Sequence, residues 1–243
     1  MIQAMYKITE NTRLTETVYR MKVSGDTSAL TKPGQFVNIR LAGRFLRRPI
    51  SVCDWDEQSI TLIYKVVGDG TKQMSTMQAG EELDLLVGLG NGFDVSKSGA
   101  HPLLIGGGVG VPPLYGLCRA LRAAGLPVTV ILGFNTAEEL FYADEFRALG
   151  AEVLVTTVDG SMGIKGFVTD AMNGLDYTYF YTCGPEPMLK AIDRTAVTSG
   201  QLSFEERMGC GFGACMGCSC KTKYGNKRIC RDGPVLEREE IIW

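Results

Sequence analysis

Five of the eight cysteines fall between residues 210 and 230, in the order Cys210-x4-Cys215-x2-Cys218, then Cys220, with Cys230 closing the run. Thiols this crowded bind metal or form disulfides. Cys-x4-Cys-x2-Cys with a distant fourth cysteine is the ligand spacing of plant-type two-iron two-sulfur clusters. Four thiolates must converge on two irons, so a tight loop wraps the cluster and a distant segment closes it. Gly209, Gly211, Gly213 and Gly217 let such a loop curl with its amides turned inward. Those amides offset sulfur charge and tune the potential. The charge balance agrees, because Arg207 to Arg231 holds six basic residues and no acidic one. The competing chemistry is a four-cysteine zinc site, but zinc favours paired Cys-x2-Cys knuckles. Here one spacing is opened to x4 and the middle cysteine is shared. Cys210, Cys215, Cys218 and Cys230 are therefore the candidate ligands. Cys220 stands where it could replace Cys218, and the plant-type spacing selects Cys218. His101 is the only histidine, which excludes a Rieske centre and a classical zinc finger. Cys53 and Cys118 read as core residues.

Two further groups of residues suit anions. Arg47-Arg48-Pro49-Ile50-Ser51, read as the end of a strand, offers guanidinium and hydroxyl donors that fit a pyrophosphate. Gly68-Asp69-Gly70-Thr71 opens a short helix, and a glycine turn at a helix N-terminus is an anion site. Gly106-Gly107-Gly108-Val109-Gly110-Val111-Pro112-Pro113 follows an apolar strand and departs from the dinucleotide fingerprint only in carrying Pro113 at the third glycine. Cys183-Gly184-Pro185 ends another strand, where ligands of open α/β sheets bind. Asp159-Gly160 follows Glu152–Thr157. A carboxylate there accepts from a ribose 2′-hydroxyl and repels a 2′-phosphate, and Gly133–Thr136, followed by Glu138 and Glu139, also lacks a basic residue. The expectation is NAD(H) rather than NADP(H).

These groups need scaffolds, and the chain divides accordingly. Residues 1–98 read as short strands, among them Arg13–Lys22, Gln35–Leu41, Ser59–Val67 and Glu82–Val87, with one short helix from Thr71 to about Met77. That pattern predicts a small antiparallel barrel. From residue 99 the texture alternates. Strands at Leu103–Ile105, Val128–Leu132, Glu152–Thr157 and Thr178–Thr182 are interleaved with helices at Pro112–Ala124, Ala143–Leu149 and Glu186–Val197. Alternation predicts a parallel, Rossmann-like sheet. A third unit, 203–243, is dominated by cysteine and glycine. Apolar residues make up 45% of the 243, enough for a sizeable core, and the net charge of −2 supplies no field for nucleic acid. Apolar runs are strand-length and no signal peptide is apparent, so a cytoplasmic protein without a membrane segment is expected.

A barrel followed by a nucleotide domain resembles the ferredoxin–NADP reductase superfamily. With the C-terminal cluster added, the whole chain resembles the electron-transfer subunits of NAD-dependent (type B) dihydroorotate dehydrogenases. The stretches that carry this are Arg47–Ser51, Tyr64–Thr71, Gly88–Phe93, Gly106–Pro113, Thr156–Gly166, Tyr181–Met188, Glu206–Thr222 and Arg228–Leu236. The cysteine signature is specific, whereas the nucleotide loops are shared across the superfamily. The resemblance implies an FAD-binding β-barrel (1–98), an NAD-binding domain (99–202) and a 2Fe-2S segment (203–243). It implies FAD on Arg48, Pro49, Ile50, Ser51, Ile63, Tyr64, Lys65, Gly70 and Thr71, with the cluster on the four cysteines. NAD(H) would use Gly106, Gly107, Gly108, Gly110, Asp159, Cys183, Gly184 and Pro185. It further implies a separate FMN-containing catalytic subunit that oxidises dihydroorotate to orotate in pyrimidine biosynthesis, in a heterotetramer with two copies of each chain. The surface at 209–231, with Phe212 and Met216, is the expected interface. Related reductase subunits of ferredoxin, NAD(P) or sulfide electron-transfer complexes share the architecture, and a zinc-stabilised binding module is the non-catalytic alternative. Trp243 tempts as a flavin-stacking aromatic, but the cluster segment intervenes.

Overall fold

The computed structural model describes residues 1–243. Strands β1 (Ile2–Arg13), β2 (Val18–Ser24), β3 (Phe36–Arg40), β4 (Arg48–Trp55), β5 (Ser59–Lys65) and β6 (Glu82–Leu89) close into a barrel in the order β1-β2-β5-β4-β3-β6. Every neighbouring pair is antiparallel. Alternation drives closure: Tyr6 and Ile8, Met21 and Val23, Val37 and Ile39, and Leu83, Leu85 and Val87 all point into one core. Burial of each such side chain stabilises by about 1.5–3 kcal/mol. Helix α1 (Asp69–Thr76) plugs one rim through Met74, two residues earlier in its start than expected.

Two strand expectations need correction. Arg13–Lys22 is not one strand. It spans the end of β1, a turn at 14–17 and the start of β2. Leu14 N–H donates to Val18 O at 2.8 Å, and Thr15 Oγ1 accepts from Val18 N at 3.2 Å, so a threonine makes the turn without glycine or proline. Arg48–Ser51 also begins a strand rather than ending one, with Pro49 opposite Asn38. Proline is tolerated there because β4 pairs with β5 only from Val52 onward and the Asn38 carbonyl opposite accepts from Arg47 Nη1.

The second sheet has seven strands in the order β10-β9-β8-β7-β11-β12-β15. They are β7 (Pro102–Gly107), β8 (Thr129–Phe134), β9 (Glu152–Thr157), β10 (Ile164–Lys165), β11 (Tyr179–Cys183), β12 (Gly200–Ser203) and β15 (Val235–Glu237). Pairing is parallel throughout except β12 with β15. All six residues of β7 are buried, as a central parallel strand covered on both faces requires. One face carries α2 (Pro112–Ala123), α3 (Ala143–Ala148) and the barrel, sharing a core of Leu104, Leu114, Leu117 and Phe146 with Cys53 and Ile63. Cys118 is buried in the same core. The other face carries α4 (Val168–Ala171), α5 (Glu186–Thr195) and the cysteine segment, whose Cys218, Ile229 and Cys230 pack with Phe36, Leu89 and Leu202. That segment contains the hairpin β13 (Ser219–Thr222) and β14 (Gly225–Arg228) and the one-turn helix α6 (Ile229–Asp232), before β15 returns to the large sheet.

Candidate cofactor and cluster sites

The four expected cysteine ligands lie together in two pairs. Cys210 and Cys215 share the glycine loop: Cys210 N–H points at Cys215 Sγ (3.4 Å), and Ala214 and Cys215 amides point at Cys210 Sγ (3.2 and 3.4 Å). Cys218 and Cys230 form the second pair, with Cys230 N–H 3.4 Å from Cys218 Sγ. Gly211 and Gly213 adopt φ of +80° and +94°, which lets the loop turn its amides inward. Burial raises the Cys210 thiol, but amides from Phe212, Cys215 and Ala214 outweigh it and bring the pKa to about 6. Burial and the neighbouring Cys218 thiol push Cys230 up to about 12. Four thiols with inward amides around them supply the donor set that a two-iron two-sulfur cluster takes. Cys220 is in β13, partly buried against the neighbouring core. Phe212 and Met216 are exposed on the loop, at 44% and 54%.

On the barrel, Arg48 and Arg47 have different fates. Arg47 is committed to the fold: its Nη2 meets both oxygens of Asp84 at 2.9 Å, and its Nη1 donates to Asp84 O and Asn38 O. Arg48 lies across the first turn of α1. A Cβ on Gly70 would stand 2.3 Å from Arg48 Nε, so glycine is what permits that approach. Guanidinium and helix N-terminus thus face one place, the geometry a pyrophosphate needs. Thr71 Oγ1 accepts from Val67 N at 3.0 Å and fixes the turn. The run Arg48–Ser51 is half-buried throughout, and the strand enters the core at Val52 and Cys53. Tyr64 differs from a simple contact residue: its ring is inside the barrel, 5.9 Å from Tyr19, with its hydroxyl on Asn11 Oδ1. Ile63 faces the nucleotide domain. Lys65 reaches across to Glu139 at 3.8 Å.

The glycine loop and the Cys-Gly-Pro turn meet at the carboxyl ends of β7 and β11, where Gly106 pairs with Cys183. The chain runs outward from β7 through β8 and β9 and then resumes on the other side at β11, so this crevice is the topological switch point of the sheet. A Cβ on Gly110 would lie 2.1 Å from Cys183 O, and one on Gly184 2.3 Å from Met188 Cε. Gly108 has φ +51° and starts the turn into α2, whose first residues are Pro112 and Pro113. Burial pushes Cys183 up to about 12 against a hydrogen bond from Ser203, so its thiol stays neutral. Pro185 precedes α5 as its N-cap. Asp159 is an exposed turn residue: its Oδ1 accepts from Ser161 N (2.9 Å) and Oγ (2.6 Å), while Ser161 Oγ accepts from Ala137 N (2.8 Å). The carboxylate therefore stands beside the loop after β8, with its second oxygen uncommitted. Hydrogen bonds from Ser161 hold it below the usual range. Arg119 orients the two domains, donating to Trp55 O at 2.9 Å.

Residues 205–242 match the model of the iron-sulfur cluster binding domain of dihydroorotate dehydrogenase B, and 104–194 match the oxidoreductase NAD-binding domain. The electron transfer subunit of dihydroorotate dehydrogenase B (NAD(+)) from Fusobacterium nucleatum is 46% identical, over 96% of each chain. This chain belongs to that family. The Geobacillus member is 41% identical, over 100% of this chain and 99% of its own. Among solved structures, a chain of the NADH-dependent reduced ferredoxin-NADP oxidoreductase is 33% identical, with a TM-score of 0.89, covering 99% of this chain and 90% of that one. The family's ferredoxin-reductase-like fold, a barrel before a Rossmann-like domain, is the one described above. Two asparagines escaped the sequence reading. Asn91 accepts from Val235 N and donates to Val235 O, clamping the chain after Cys230. Asn38 donates to Cys210 O. Asparagine ordinarily signals a turn, and only its place among the apolar residues of Phe36–Ile39 hints otherwise. Trp243 packs on Phe204 and donates to Asp193 Oδ2 at 2.8 Å, a docking role at the C-terminus.

Proposed function

We propose that this chain is the electron-transfer subunit of an NAD-dependent dihydroorotate dehydrogenase, an oxidoreductase whose cofactors are FAD and a 2Fe-2S cluster and whose nucleotide substrate is NAD(H). One observation carries the reading: a single chain packs a four-thiol segment onto β3 of a barrel whose next strand bears Arg48, while the same barrel docks on a switch-point crevice. When bound, FAD supplies the conversion between two-electron hydride chemistry and one-electron carriage by a cluster. The chain's own residues do the rest. Arg48, Gly70 and Thr71 at the start of α1 hold the pyrophosphate, and Pro49, Ile50, Ser51, Ile63, Tyr64 and Lys65 form the adjoining wall. Because the Tyr64 side chain is turned inward, its contribution is through its backbone. Gly106, Gly107, Gly108 and Gly110 admit the dinucleotide close to the main chain, with Cys183, Gly184 and Pro185 opposite. Asp159 favours a free ribose hydroxyl over a phosphate. Cys210, Cys215, Cys218 and Cys230 would hold the cluster, and inward amides would balance the sulfur charge.

Dihydroorotate itself is oxidised on a catalytic partner subunit. We place FMN in that partner, assign two copies of each chain to the assembly, and put the contact at 209–231, where Phe212 and Met216 are exposed. The division at 98/99 and 202/203 and a cytoplasmic location belong to the same proposal. No helix is long and apolar enough to cross a membrane. The test is co-purification from the native source followed by assay. A partner should appear that contains FMN, and the complex should reduce NAD+ with dihydroorotate, whereas the isolated chain should oxidise NADH only with artificial acceptors. Dihydroorotate turnover by the isolated chain, or a partner that reduces ferredoxin instead, would overturn the assignment.

A further inference from the structure

Strand β3 is buried along both faces from Phe36 to Ile39, unlike a barrel strand with one face in solvent. Val37 and Ile39 fill the barrel, while Phe36 packs beneath Cys218 and Cys230. Between Phe36 and Arg40 on that outer face is Asn38, 1% exposed. Its Nδ2 donates to Cys210 O at 3.2 Å. A Cβ on Gly211 would lie 2.2 Å from Nδ2, so the loop and the carboxamide are in direct contact. The backbone of Asn38 is held in turn: its carbonyl accepts from Arg47 Nη1 at 3.2 Å, and Arg47 is fixed on Asp84. Across the ladder Asn38 faces Pro49, in the run next to Arg48.

We infer that Asn38 is a positioning residue that sets where the first cluster ligand stands relative to the flavin strand. The inference rests on the cofactor assignment above. The carboxamide is costly at this place. Its Oδ1 is buried without a partner, and an unsatisfied buried acceptor is destabilising where an apolar side chain of the same size would not be. Simple adhesion between barrel and segment is already supplied by Phe36 and Leu86. What apolar contact cannot supply is register along the strand. A directed donor to Cys210 O can, and it ties a ligand residue to the β3 position opposite Pro49. Asn91 fixes the other end of the segment, so Asn38 governs the Cys210–Cys215 half in particular.

The test uses the full chain with FAD and cluster loaded. Asn38→Leu and Asn38→Asp both remove the N–H donor at nearly constant size, one without charge and one with it. Iron, sulfide and FAD are counted, then amide exchange of 208–217 and the paramagnetic resonance spectrum and midpoint potential of the reduced cluster are measured. Both variants should keep FAD, and exchange at 208–217 should rise about two- to tenfold, the loss of one net hydrogen bond. The cluster spectrum or potential should change in both. Loss of iron with FAD retained in the Asp variant would support the inference too. Unchanged exchange, spectrum and potential in the variants that fold would overturn it. So would loss of FAD from the Asp variant, which would assign Asn38 to barrel stability alone. Absence of iron and sulfide from the wild-type protein would instead fault the cluster assignment.

Discussion

Gly110→Ala is the sharpest probe of the nucleotide crevice. The new methyl would stand 2.1 Å from Cys183 O, 2.4 Å from its carbonyl carbon and 2.6 Å from Gly184 N. Ordinary contact begins near about 3.5 Å, so relief needs more than an ångström of movement. All three obstructing atoms are main chain, fixed by the β7–β11 ladder, and none can rotate away. Overpacking of this kind costs about 1–3 kcal/mol. In a chain of this size that lowers Tm by about 2–4 °C per kcal/mol. The part absorbed by opening the crevice should raise KM for NADH about tenfold, since a factor of ten corresponds to about 1.4 kcal/mol. Gly107→Ala, in the same loop, is the control for stability. Its methyl meets Met188 Sδ at 2.4 Å, the far part of a flexible side chain that can swing aside. Thermal unfolding and NADH–ferricyanide kinetics, with FAD and iron counted, compare the two. Equal Tm in both variants would refute the claim that loop and turn are locked backbone to backbone.

Arg48→Ala should weaken FAD retention by roughly ten- to hundredfold through loss of a charge-assisted contact worth about 1.5–3 kcal/mol; Arg47→Ala should instead lower barrel stability, because it removes the donor that meets both Asp84 oxygens and leaves that carboxylate to Gln3 and Arg40, and FAD titration beside thermal melts separates the two. Cys215→Ser should abolish the cluster while Cys220→Ser keeps about two irons and two sulfides, read by metal and sulfide analysis; stoichiometric zinc without sulfide in the wild type would sink the cluster. NADH should be used in preference to NADPH, and Asp159→Ser should raise NADPH activity more than it changes NADH activity; equal efficiency with both cofactors in the wild type would show that the carboxylate is only a turn residue. Glu237 resists its own burial through hydrogen bonds from Lys97, Gln201 and Tyr179, and its carboxyl is held below the ordinary range. A depressed carboxyl stabilises above its unfolded value near about 4.3 and loses that contribution as pH falls through the lower folded value. Acid melts should therefore show release of the C-terminal strand in that window, and Glu237→Gln should flatten this part of the profile.

The parts of the fold that were legible share one property: their signal is local. Central strands such as Leu103–Ile105 and Glu152–Thr157 are apolar runs between turn residues, and the cysteine spacing is itself the geometry of the loop. What was missed depends on partners distant in the chain. β1 carries Lys7, Thr9 and Glu10 on or near its outer face and a bulge between Ile8 and Glu10, so only the alternation of Tyr6 and Ile8 marks it. Its turn into β2 is made by threonine rather than glycine. Pro49 disguised the start of β4. Val235–Glu237 is too short to announce itself as a strand and pairs only because β12 offers a free edge. At the sites, the glycines and cysteines were readable because few other residues can do their work. Arg47 and Arg48 were indistinguishable in sequence; Asp84, far along the chain, decides which of them is tied to a carboxylate. Asn38 and Asn91 could be found only once their neighbours were in place.

Ser203 and Val235 are direct partners across the β12–β15 ladder. Everything between them leaves one sheet edge and returns to the same edge, so the cysteine segment is topologically a long hairpin loop. Iron–sulfur chemistry is thus carried by a cassette with its entry and exit side by side. A cassette of that form can be gained, exchanged or shortened to a tight turn while every strand of the nucleotide sheet keeps its neighbours. The strand order does not depend on the cassette, but the face beneath it does: without it Phe36, Leu89 and Leu202 would be uncovered, so any shortened form would need a new cover for that core.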